Sequence, residues 1–345
     1  MNFLLYITLD YGFPIVRPLQ EEILKRGYNV AWFIENEASK NKLLPSETLL
    51  NTVEEVLNYK ADVNLVACNE VPHFFPGIKV QLFHGFSVNK RGLDKGHFRI
   101  RGFFDLYCTQ GPSTTTYFKE LEKKHKHFKV VETGWSKVDI LFPIEKPSVN
   151  KKPVIFVAST FTERLSLAYN NNVYLKLIEL IETENWDWII NLHPKMNVEI
   201  VEKFKNLQKY NNVTYIPFLD TLAPLKLADV MLTDTSSIIT EFIIQNKPVI
   251  TFNNNKPKSC FINISDVEDI KPKIEFAITR SKTIMDEVNK FVLEEHPYFD
   301  GKSSKRVIDA AVNFIKNDEI NSLKNKPLNL IRKYKMCKRL KYFKL

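Results

Sequence analysis

Residues 227–253 read LADVMLTDTSSIITEFIIQNKPVITFN, and this stretch decides the fold. Its apolar run at 230–232 is typical of a buried parallel strand. Five small polar residues follow at 233–237, then apolar residues at helical spacing, then a second apolar run at 248–252. The order strand, polar turn, helix, strand is the repeating unit of a parallel sheet covered by helices, so we predict an α/β fold.

The polar turn of this stretch is a candidate anion-binding site. It contains Asp234, Thr235, Ser236 and Ser237 at the start of the predicted helix. The first N–H groups of a helix lack partners, and its dipole favours a negative ligand there. Hydroxyl groups add donors that can follow a phosphate. Such turns more often only cap a helix, so the turn alone leaves both interpretations open.

Length and composition restrict the class of protein. The chain has 345 residues, enough for two domains that each bury a core. Its four cysteines form no CxxC pair, which argues against a disulfide framework and against a zinc site. The apolar start of the chain is too short to span a bilayer and lacks the pattern of a signal peptide, so we expect a cytoplasmic protein.

Strand-like and helix-like runs alternate from the first residue to about residue 316, which predicts parallel sheets with helices on both faces. The stretch 142–152, FPIEKPSVNKK, interrupts the pattern with prolines and lysines and is our predicted linker. We therefore predict two Rossmann-like domains, at 1–145 and 146–317, and a basic tail at 318–345. In such sheets, ligands bind beyond the carboxyl ends of the strands.

The positive charge of the chain, +9 in total, is concentrated at its end. Residues 324–345 contain nine Lys and Arg residues interleaved with leucines and aromatic residues. This composition favours peripheral contact with the inner face of an anionic membrane, and a solvated tail is the alternative. No RNA- or DNA-binding motif accompanies it, so we predict no nucleic-acid partner.

A histidine ends the predicted strand at 79–83. His84 is followed by Gly85, Ser87, Lys90 and Arg91 in one loop. The glycine lets the backbone bend, and the basic pair favours an anionic or polar substrate. We predict that His84 acts at a functional site instead of packing as a core histidine.

Two further loops carry candidate residues. His193 ends the predicted strand at 188–192 and precedes a proline, a position from which an imidazole can exchange a proton or bind a phosphate oxygen. The second loop, DGKSSKR at 300–306, places Lys302, Ser303, Ser304 and Arg306 at a predicted helix start. Such a start suits phosphate recognition, although it also reads as an ordinary turn and cap.

The usual cofactor and metal signatures are absent from the sequence. It contains no GxGxxG, Walker, HExxH or GxSxG motif, and no DxD pair. We predict neither a cofactor nor a metal. The charge of a leaving phosphate would then be met by helix N-termini, hydroxyls, Lys and Arg.

Together these loops resemble the CDP-glycerol glycerophosphotransferase family, the teichoic-acid primases and polymerases. Four stretches carry the resemblance in the order found in the family. They are FHGFSVNKRG (83–92), TGWSKVDIL (133–141), LADVMLTDTSSIITEFIIQNKPVI (227–250) and DGKSSKR (300–306). The family implies a GT-B fold, with two Rossmann-like domains and an interdomain cleft, and metal-independent transfer from a cytidine diphosphate donor.

The resemblance also implies roles for individual residues. His84 matches the histidine that would act as base on the acceptor hydroxyl, with Gly85, Ser87, Lys90 and Arg91 on the acceptor side. His193 matches a second histidine that would assist the leaving phosphate. The residues matched to donor binding are Asp234, Thr235, Ser236, Ser237, Lys302, Ser303, Ser304 and Arg306. This sequence departs from the family at Thr235, where the family has tyrosine, and in the residues after Gly85, beside the candidate base.

The function expected from the sequence is transfer of an alditol phosphate, first of all glycerol phosphate, from CDP-glycerol or CDP-ribitol. The acceptor would be a hydroxyl of a surface polymer or lipid-linked glycan, and CMP would leave. A GT-B glycosyltransferase that uses a UDP- or CMP-sugar is the alternative, because fold does not fix chemistry. A protein that binds a nucleotide or a glycan without catalysis is a third possibility.

Overall fold

The computed structural model describes residues 1–86, 98–144, 152–217 and 222–343. The chain forms two compact units. The first unit combines Met1–Asp139 with Glu295–Leu345, and the second unit is Ile140–Glu294. No helix within the described residues is long and apolar enough to cross a membrane.

The first unit is built on six parallel strands, in the spatial order β2-β1-β3-β4-β5-β6. The strands are β1 (Asn2–Ile7), β2 (Asn29–Ile34), β3 (Val63–Val66), β4 (Ile78–Leu82), β5 (Leu106–Thr109) and β6 (Lys129–Glu132). The helices between them are α1 (Phe13–Lys25), α2 (Glu37–Lys40), α3 (Val53–Tyr59) and α4 (Pro112–His125). Strands β3 and β5 are buried along their whole length, as expected for a sheet covered on both faces.

The second unit contains another six-stranded parallel sheet, in the order β12-β11-β10-β7-β8-β9. The strands are β7 (Val154–Ser159), β8 (Asp187–Leu192), β9 (Val213–Tyr215), β10 (Val230–Thr233), β11 (Val249–Phe252) and β12 (Phe261–Ile264). The helices are α5 (Asn171–Thr183), α6 (Val198–Lys205), α7 (Leu222–Leu227), α8 (Ile238–Ile243), α9 (Ile270–Ile278) and α10 (Lys282–Glu295). The strand order reverses between β7 and β10, and doubly wound sheets bind their ligands at such a point.

The stretch that opened the sequence analysis forms β10, α8 and β11, as predicted. The α/β class and the two parallel sheets are therefore confirmed. Strand β12, helices α2 and α7, and the last helix, α12 (Leu330–Leu340), were not predicted as separate elements, because their apolar residues are few or are mixed with lysines. The predicted linker overlaps residues 145–151, which lie outside the described residues.

The end of the chain returns to the first unit, which differs from the predicted domain at 146–317. Helix α11 (Ser303–Lys316) packs against α1, and Arg26 forms an ion pair of 2.8 Å with Asp309. Helix α12 (Leu330–Leu340) buries Met336 in the core of the first unit, so the basic segment is a docked helix. Sequence alternation alone does not reveal which sheet a helix covers, because an apolar helix face fits either one.

Candidate functional site

Three neighbouring strand ends gather the candidate polar residues of the second unit. Strand β7 lies between β10 and β8 in the sheet, and parallel strands end at the same edge. The loop after β10 carries residues 234–237, the loop after β7 carries residues 160–168, and the loop after β8 carries residues 193–195. This edge includes the point where the strand order reverses, the usual ligand position in such folds.

Asp234 holds two of these loops together from a buried position. Its carboxylate is 0% exposed and accepts hydrogen bonds from the Ser159 hydroxyl at 2.5 Å and from the Thr160 and Leu167 N–H groups at 3.1 Å. The Thr235 N–H also donates to it, at 2.6 Å. Burial raises the pKa of this carboxyl, and the Ser159 hydrogen bond opposes that shift. Asp234 was predicted to bind the donor, and in the structure its carboxylate is enclosed and links the loops after β7 and β10.

Three hydroxyl residues lie between Asp234 and the first turn of α8. Thr235 and Ser236 are half-buried, and Ser237 is exposed. The buried Oγ1 of Thr235 has no hydrogen-bond partner within the described residues. Ser237 stands at the N-cap of α8 without forming a side-chain cap. Since the usual capping bond is not made, these hydroxyls remain suited to a ligand that brings its own acceptors.

His193 packs in a small aromatic and basic cluster. Its ring centroid lies 4.5 Å from that of Phe161, and the Lys195 ammonium lies 5.7 Å from the same Phe161 ring. The Lys195 N–H donates to His193 Nδ1 at 3.1 Å. Burial, with the nearby charge of Lys195, lowers the pKa of His193. A neutral ring whose Nδ1 accepts carries its proton on Nε2, from which it can donate to a phosphate oxygen.

His84 lies after β4 in the first unit and is half-buried. Its ring centroid is 5.3 Å from that of Tyr11, a residue of the loop after β1. Burial lowers the pKa of His84, and the charge of Arg101 lowers it further. A histidine that is neutral at physiological pH is in the state needed to accept a proton from a hydroxyl.

The rest of the predicted acceptor loop is only partly described. Ser87, Lys90 and Arg91 lie outside the described residues. Gly85 is half-buried, and a Cβ atom built on it would meet nothing within 4 Å. Its packing therefore does not require glycine, so backbone freedom or ligand approach remains the reason to have glycine there.

The DGKSSKR loop lies in the first unit. Three of its residues that were predicted to bind the donor, Ser303, Ser304 and Arg306, form hydrogen bonds to carboxylates of the chain itself. The Asp139 carboxylate accepts from the Ser303 N–H at 2.8 Å and from the Ser304 N–H and hydroxyl at 2.7 Å each. Arg306 donates to both carboxylate oxygens of Asp300, at 2.9 and 3.0 Å. A helix start favours a carboxylate, and the chain supplies its own, so this site differs from the prediction.

Lys302 completes that loop, since its N–H donates to Asp300 at 3.1 Å. Four residues before this loop lies a histidine to which the sequence analysis assigned no role. His296 is 0% exposed, and its Nε2 accepts from the Trp135 N–H at 3.1 Å. Gly134 lies where the loop approaches residues 133–141. Its φ is +79°, and a Cβ atom on it would lie 2.4 Å from Ser303 Oγ, so a larger residue would not fit there. Two of the stretches quoted for the family resemblance, 133–141 and 300–306, thus pack on each other.

The described residues contain no group of three or more metal-ligating side chains. The sequence signals for Ser159 and Asp139 were weak. Ser159 is one serine at the end of an apolar run, and Asp139 is one carboxylate in a short turn. Only the pairing of β7 with β10, and the return of the chain to the first unit, reveal their partners.

Solved structures of the wall teichoic acid polymerase TagF are similar to this chain. One has a TM-score of 0.64 at 14% identity and covers 92% of this chain and 90% of its own. Another, from crystals soaked with CDPG, has a TM-score of 0.62 at 15% identity, with coverage of 92% and 89%. These likenesses confirm the GT-B type of fold that the family resemblance implied, and identities this low show the fold alone.

UDP-N-acetylglucosamine 2-epimerases have a similar fold. A putative one from Listeria monocytogenes has a TM-score of 0.63 at 13% identity, covering 92% of this chain and 97% of its own. The enzyme from Methanocaldococcus jannaschii has a TM-score of 0.62 at 16% identity, with coverage of 90% and 99%. No curated protein sequence matches the chain. The model of the UDP-N-acetylglucosamine 2-epimerase family matches residues 113–311, more than half of the chain, and the protein therefore belongs to that family.

Proposed function

We propose that this protein transfers an alditol phosphate, in the first place glycerol phosphate, from a CDP-activated donor to an acceptor hydroxyl. The acceptor is a cell-surface polymer or a lipid-linked glycan, and the protein works against the inner face of an anionic membrane. CMP is the leaving group. The TagF structures support a nucleotide-activated donor at the level of the fold, and the four sequence stretches between residues 83 and 306 support this reaction within it.

One observation carries the proposal: the second unit offers hydroxyls, a lysine and a neutral histidine at the strand ends, while Asp234, the acidic residue of the turn before α8, is turned inward. Asp234 is fully buried among hydrogen-bond donors. An exposed carboxylate at position 234, directly beside the hydroxyls, would repel a diphosphate, and Asp234 instead orders the loops that surround it. The remaining groups suit recognition of a phosphate.

The reaction we propose balances as follows. The acceptor oxygen attacks the β-phosphorus of CDP-glycerol, and His84 takes the proton of that hydroxyl. The new oxygen–phosphorus bond forms as the bond from that phosphorus to the bridging oxygen breaks. CMP leaves with the bridging oxygen, and the hydroxyls of Thr235, Ser236 and Ser237, with His193 Nε2, bear its developing charge.

A second candidate is epimerisation of UDP-N-acetylglucosamine at C2, and the family match favours it. A UDP- or CMP-sugar transferase is the third, because it would use the same fold and the same phosphate-binding groups. The products separate the three. Alditol-phosphate transfer releases CMP, epimerisation converts the sugar while keeping or eliminating UDP, and a glycosyltransferase releases UDP or CMP from a sugar nucleotide.

The decisive experiment incubates the protein with CDP-glycerol, CDP-ribitol, UDP-N-acetylglucosamine and CMP-sugars, with and without glycan or polyol-phosphate acceptors. We expect release of CMP from CDP-glycerol that depends on the acceptor. Conversion of UDP-N-acetylglucosamine into its C2 epimer, with no CMP released, would replace our proposal with the second candidate. Binding of CDP-glycerol without turnover for any acceptor would show a protein that binds without catalysing.

The donor site has its own test in the double variant Ser236→Ala, Ser237→Ala. We expect calorimetry to show at least tenfold weaker binding of the donor, since about 1.4 kcal/mol is lost with two hydroxyl contacts to phosphate. Ser322→Ala is the matched control, because Ser322 is exposed and its hydroxyl only caps a turn at Glu319. Equal affinity in the double variant and the control would remove this turn from the donor site.

A further inference from the structure

Large apolar side chains project into solvent at the start of α12 and on its two flanks. Their exposed fractions are 74% for Leu328, 68% for Leu330, 74% for Ile331, 62% for Tyr334 and 58% for Phe343. The Tyr334 and Phe343 ring centroids are 6.2 Å apart, so the residue after the helix adjoins its first half. We call these five side chains the outward face. Single exposed apolar residues are ordinary, but a group of this size marks a contact surface.

Helix α12 cannot rotate to bury the outward face, because its opposite side packs on the core of the first unit. Met336 is 1% exposed within the core, and the Tyr342 ring centroid lies 4.7 Å from that of Phe74. Arg339 adds an ion pair of 2.9 Å with Glu35, whose other carboxylate contact is the Tyr6 hydroxyl. The fold therefore fixes which side of α12 meets solvent.

The charge around the outward face has one sign. Residues 324–343 include no Asp or Glu. Lys326 and Arg339 are used in ion pairs with the first unit. Lys335, Lys338 and Lys341 are exposed and have no carboxylate partner within the described residues. Lys335 and Lys338 follow Ile331 at spacings of four and seven residues, so they lie on the same side of the helix as the apolar group.

We propose that the outward face is a docking site for an anionic lipid bilayer, with the five apolar side chains at the level of the headgroups and the three lysines against the lipid phosphates. Apolar burial and electrostatic attraction are the two signals that stable peripheral binding requires, and both are present on α12 and the residues that flank it. An acidic protein would match the lysines equally well. The bilayer is favoured because it can take up five exposed large apolar side chains and attract the neighbouring lysines over one and the same surface.

This inference deepens the membrane location proposed above by assigning the surface responsible, and it rests on that part of the proposal. It does not depend on the transfer reaction. The two therefore fail separately: CMP release from CDP-glycerol with a water-soluble acceptor tests the chemistry, and vesicle binding in the absence of donor tests the outward face.

The test is sedimentation of the full chain with vesicles of phosphatidylcholine alone, or of phosphatidylcholine mixed with phosphatidylglycerol. We expect binding to the mixed vesicles to be at least about tenfold stronger and to fall as salt is added. The variant Ile331→Ser, Tyr334→Ser should lose about tenfold of that binding. Leu175→Ser, at another leucine that is 54% exposed but lies on α5, should retain it.

The charge contribution is measured with Lys335→Glu, Lys338→Glu, compared with Lys290→Glu at an exposed position on α10. We expect the double variant to lose its preference for anionic vesicles and the control to retain it. Melting temperatures equal to that of the unchanged protein will show that none of these surface changes unfolds the chain. Vesicle binding unchanged by both double variants would overturn the proposal, as would equal binding to neutral vesicles or concentration-dependent dimerisation that the apolar variant abolishes.

Discussion

At single residues, burial decides which polar groups can take part in chemistry and which ones order the fold. His84 and His193 are half-buried at the ends of strands, with lowered pKa values, and are therefore neutral near pH 7, the state that our proposal requires. Asp234 and His296 are fully buried and bonded to backbone N–H groups. The same residue types therefore serve two purposes, and depth in the structure distinguishes them.

His84→Gln should reduce transfer about 100-fold or more, because the base that takes the acceptor proton is lost. The affinity for donor should stay the same, since the proposed donor groups belong to the second unit. His73→Gln, at an exposed histidine of the first unit, is the matched control. Initial rates of CMP release and donor titrations measure both quantities. Turnover in His84→Gln equal to that of the control would remove His84 from the mechanism.

We predict that the protein loses stability in acid because His296 is buried in its neutral form. Burial lowers the pKa of His296 from 6.5 to about 4, so the unfolded chain binds the proton more readily than the folded one. The contribution of neutral His296 to the free energy of unfolding is fully present above pH 6.5 and is lost as the pH falls through 4. It amounts to about 3 kcal/mol at most. Protonation also removes the Nε2 acceptor that the Trp135 N–H uses.

Urea unfolding between pH 4 and 7.5 measures that effect. The variant His296→Gln should be less stable at pH 7.5 and should show a shallower pH dependence of the free energy of unfolding. His125→Gln serves as control, because His125 is half-buried at the end of α4 with a smaller lowering of its pKa by burial. Parallel pH profiles for His296→Gln and the unchanged protein would show that another group causes the acid sensitivity.

At the scale of elements, two helices begin with similar sequences and end in different roles. Helix α8 follows Asp-Thr-Ser-Ser and begins without a side-chain cap, while α11 follows Asp-Gly-Lys and begins on the carboxylate of Asp139. Both starts attract negative charge through the same free N–H groups. The difference is that the chain supplies the anion for α11 from 164 residues away, whereas the start of α8 has no side-chain cap. This contrast is why our proposal places the ligand at the turn before α8.

Asp139→Ala should destabilise the protein by about 2 kcal/mol, because two N–H groups and a hydroxyl at the start of α11 lose their acceptor. Asp139→Asn should recover part of that loss, since an amide oxygen still accepts. Asp286→Ala is the control, as Asp286 is exposed and forms an ion pair with exposed Lys282. Urea unfolding measures all three. A loss for Asp139→Ala no greater than for the control would contradict the capping role.

At the scale of the molecule, the chain builds two sheets but returns to the first before it ends. The second unit, Ile140–Glu294, is continuous in sequence and contains its own core around Trp188, Leu232 and Ile250. The first unit needs both Met1–Asp139 and Glu295–Leu345, since α11 covers α1 and α12 contributes Met336. We therefore expect the second unit, in the middle of the chain, to fold independently of the rest.

A fragment of residues 140–294 should fold cooperatively by itself and bind the donor nucleotide, because it keeps its sheet and the loops ordered by Asp234. A fragment of residues 1–139 should not unfold cooperatively, since it leaves apolar surface under α11 and α12 uncovered. Circular dichroism during heating and donor calorimetry provide the comparison. A fragment 140–294 that is unfolded would show that its core depends on the rest of the chain.

The amino-acid sequence by itself determined the α/β class, most of the strands, and the hydroxyl turn before α8. These depend on local patterns: apolar runs of strand length, helical periodicity, and small polar residues between them. The similarity to TagF structures confirms the GT-B type of fold. The membership of the UDP-N-acetylglucosamine 2-epimerase family was not foreseen from the motifs, because none of the quoted stretches belongs to a pattern that we associated with it.

Only the tertiary structure decided which of the candidate residues remain suited to a ligand. Ser303, Ser304 and Arg306 were expected to donate hydrogen bonds to a phosphate. In the structure they bond to Asp139 and Asp300, and Asp234 is fully buried. The reason is physical. A helix start or a guanidinium binds whichever anion the fold brings within about 3 Å, and the separation of Asp139 from Ser303 along the chain leaves no trace in the local pattern of residues.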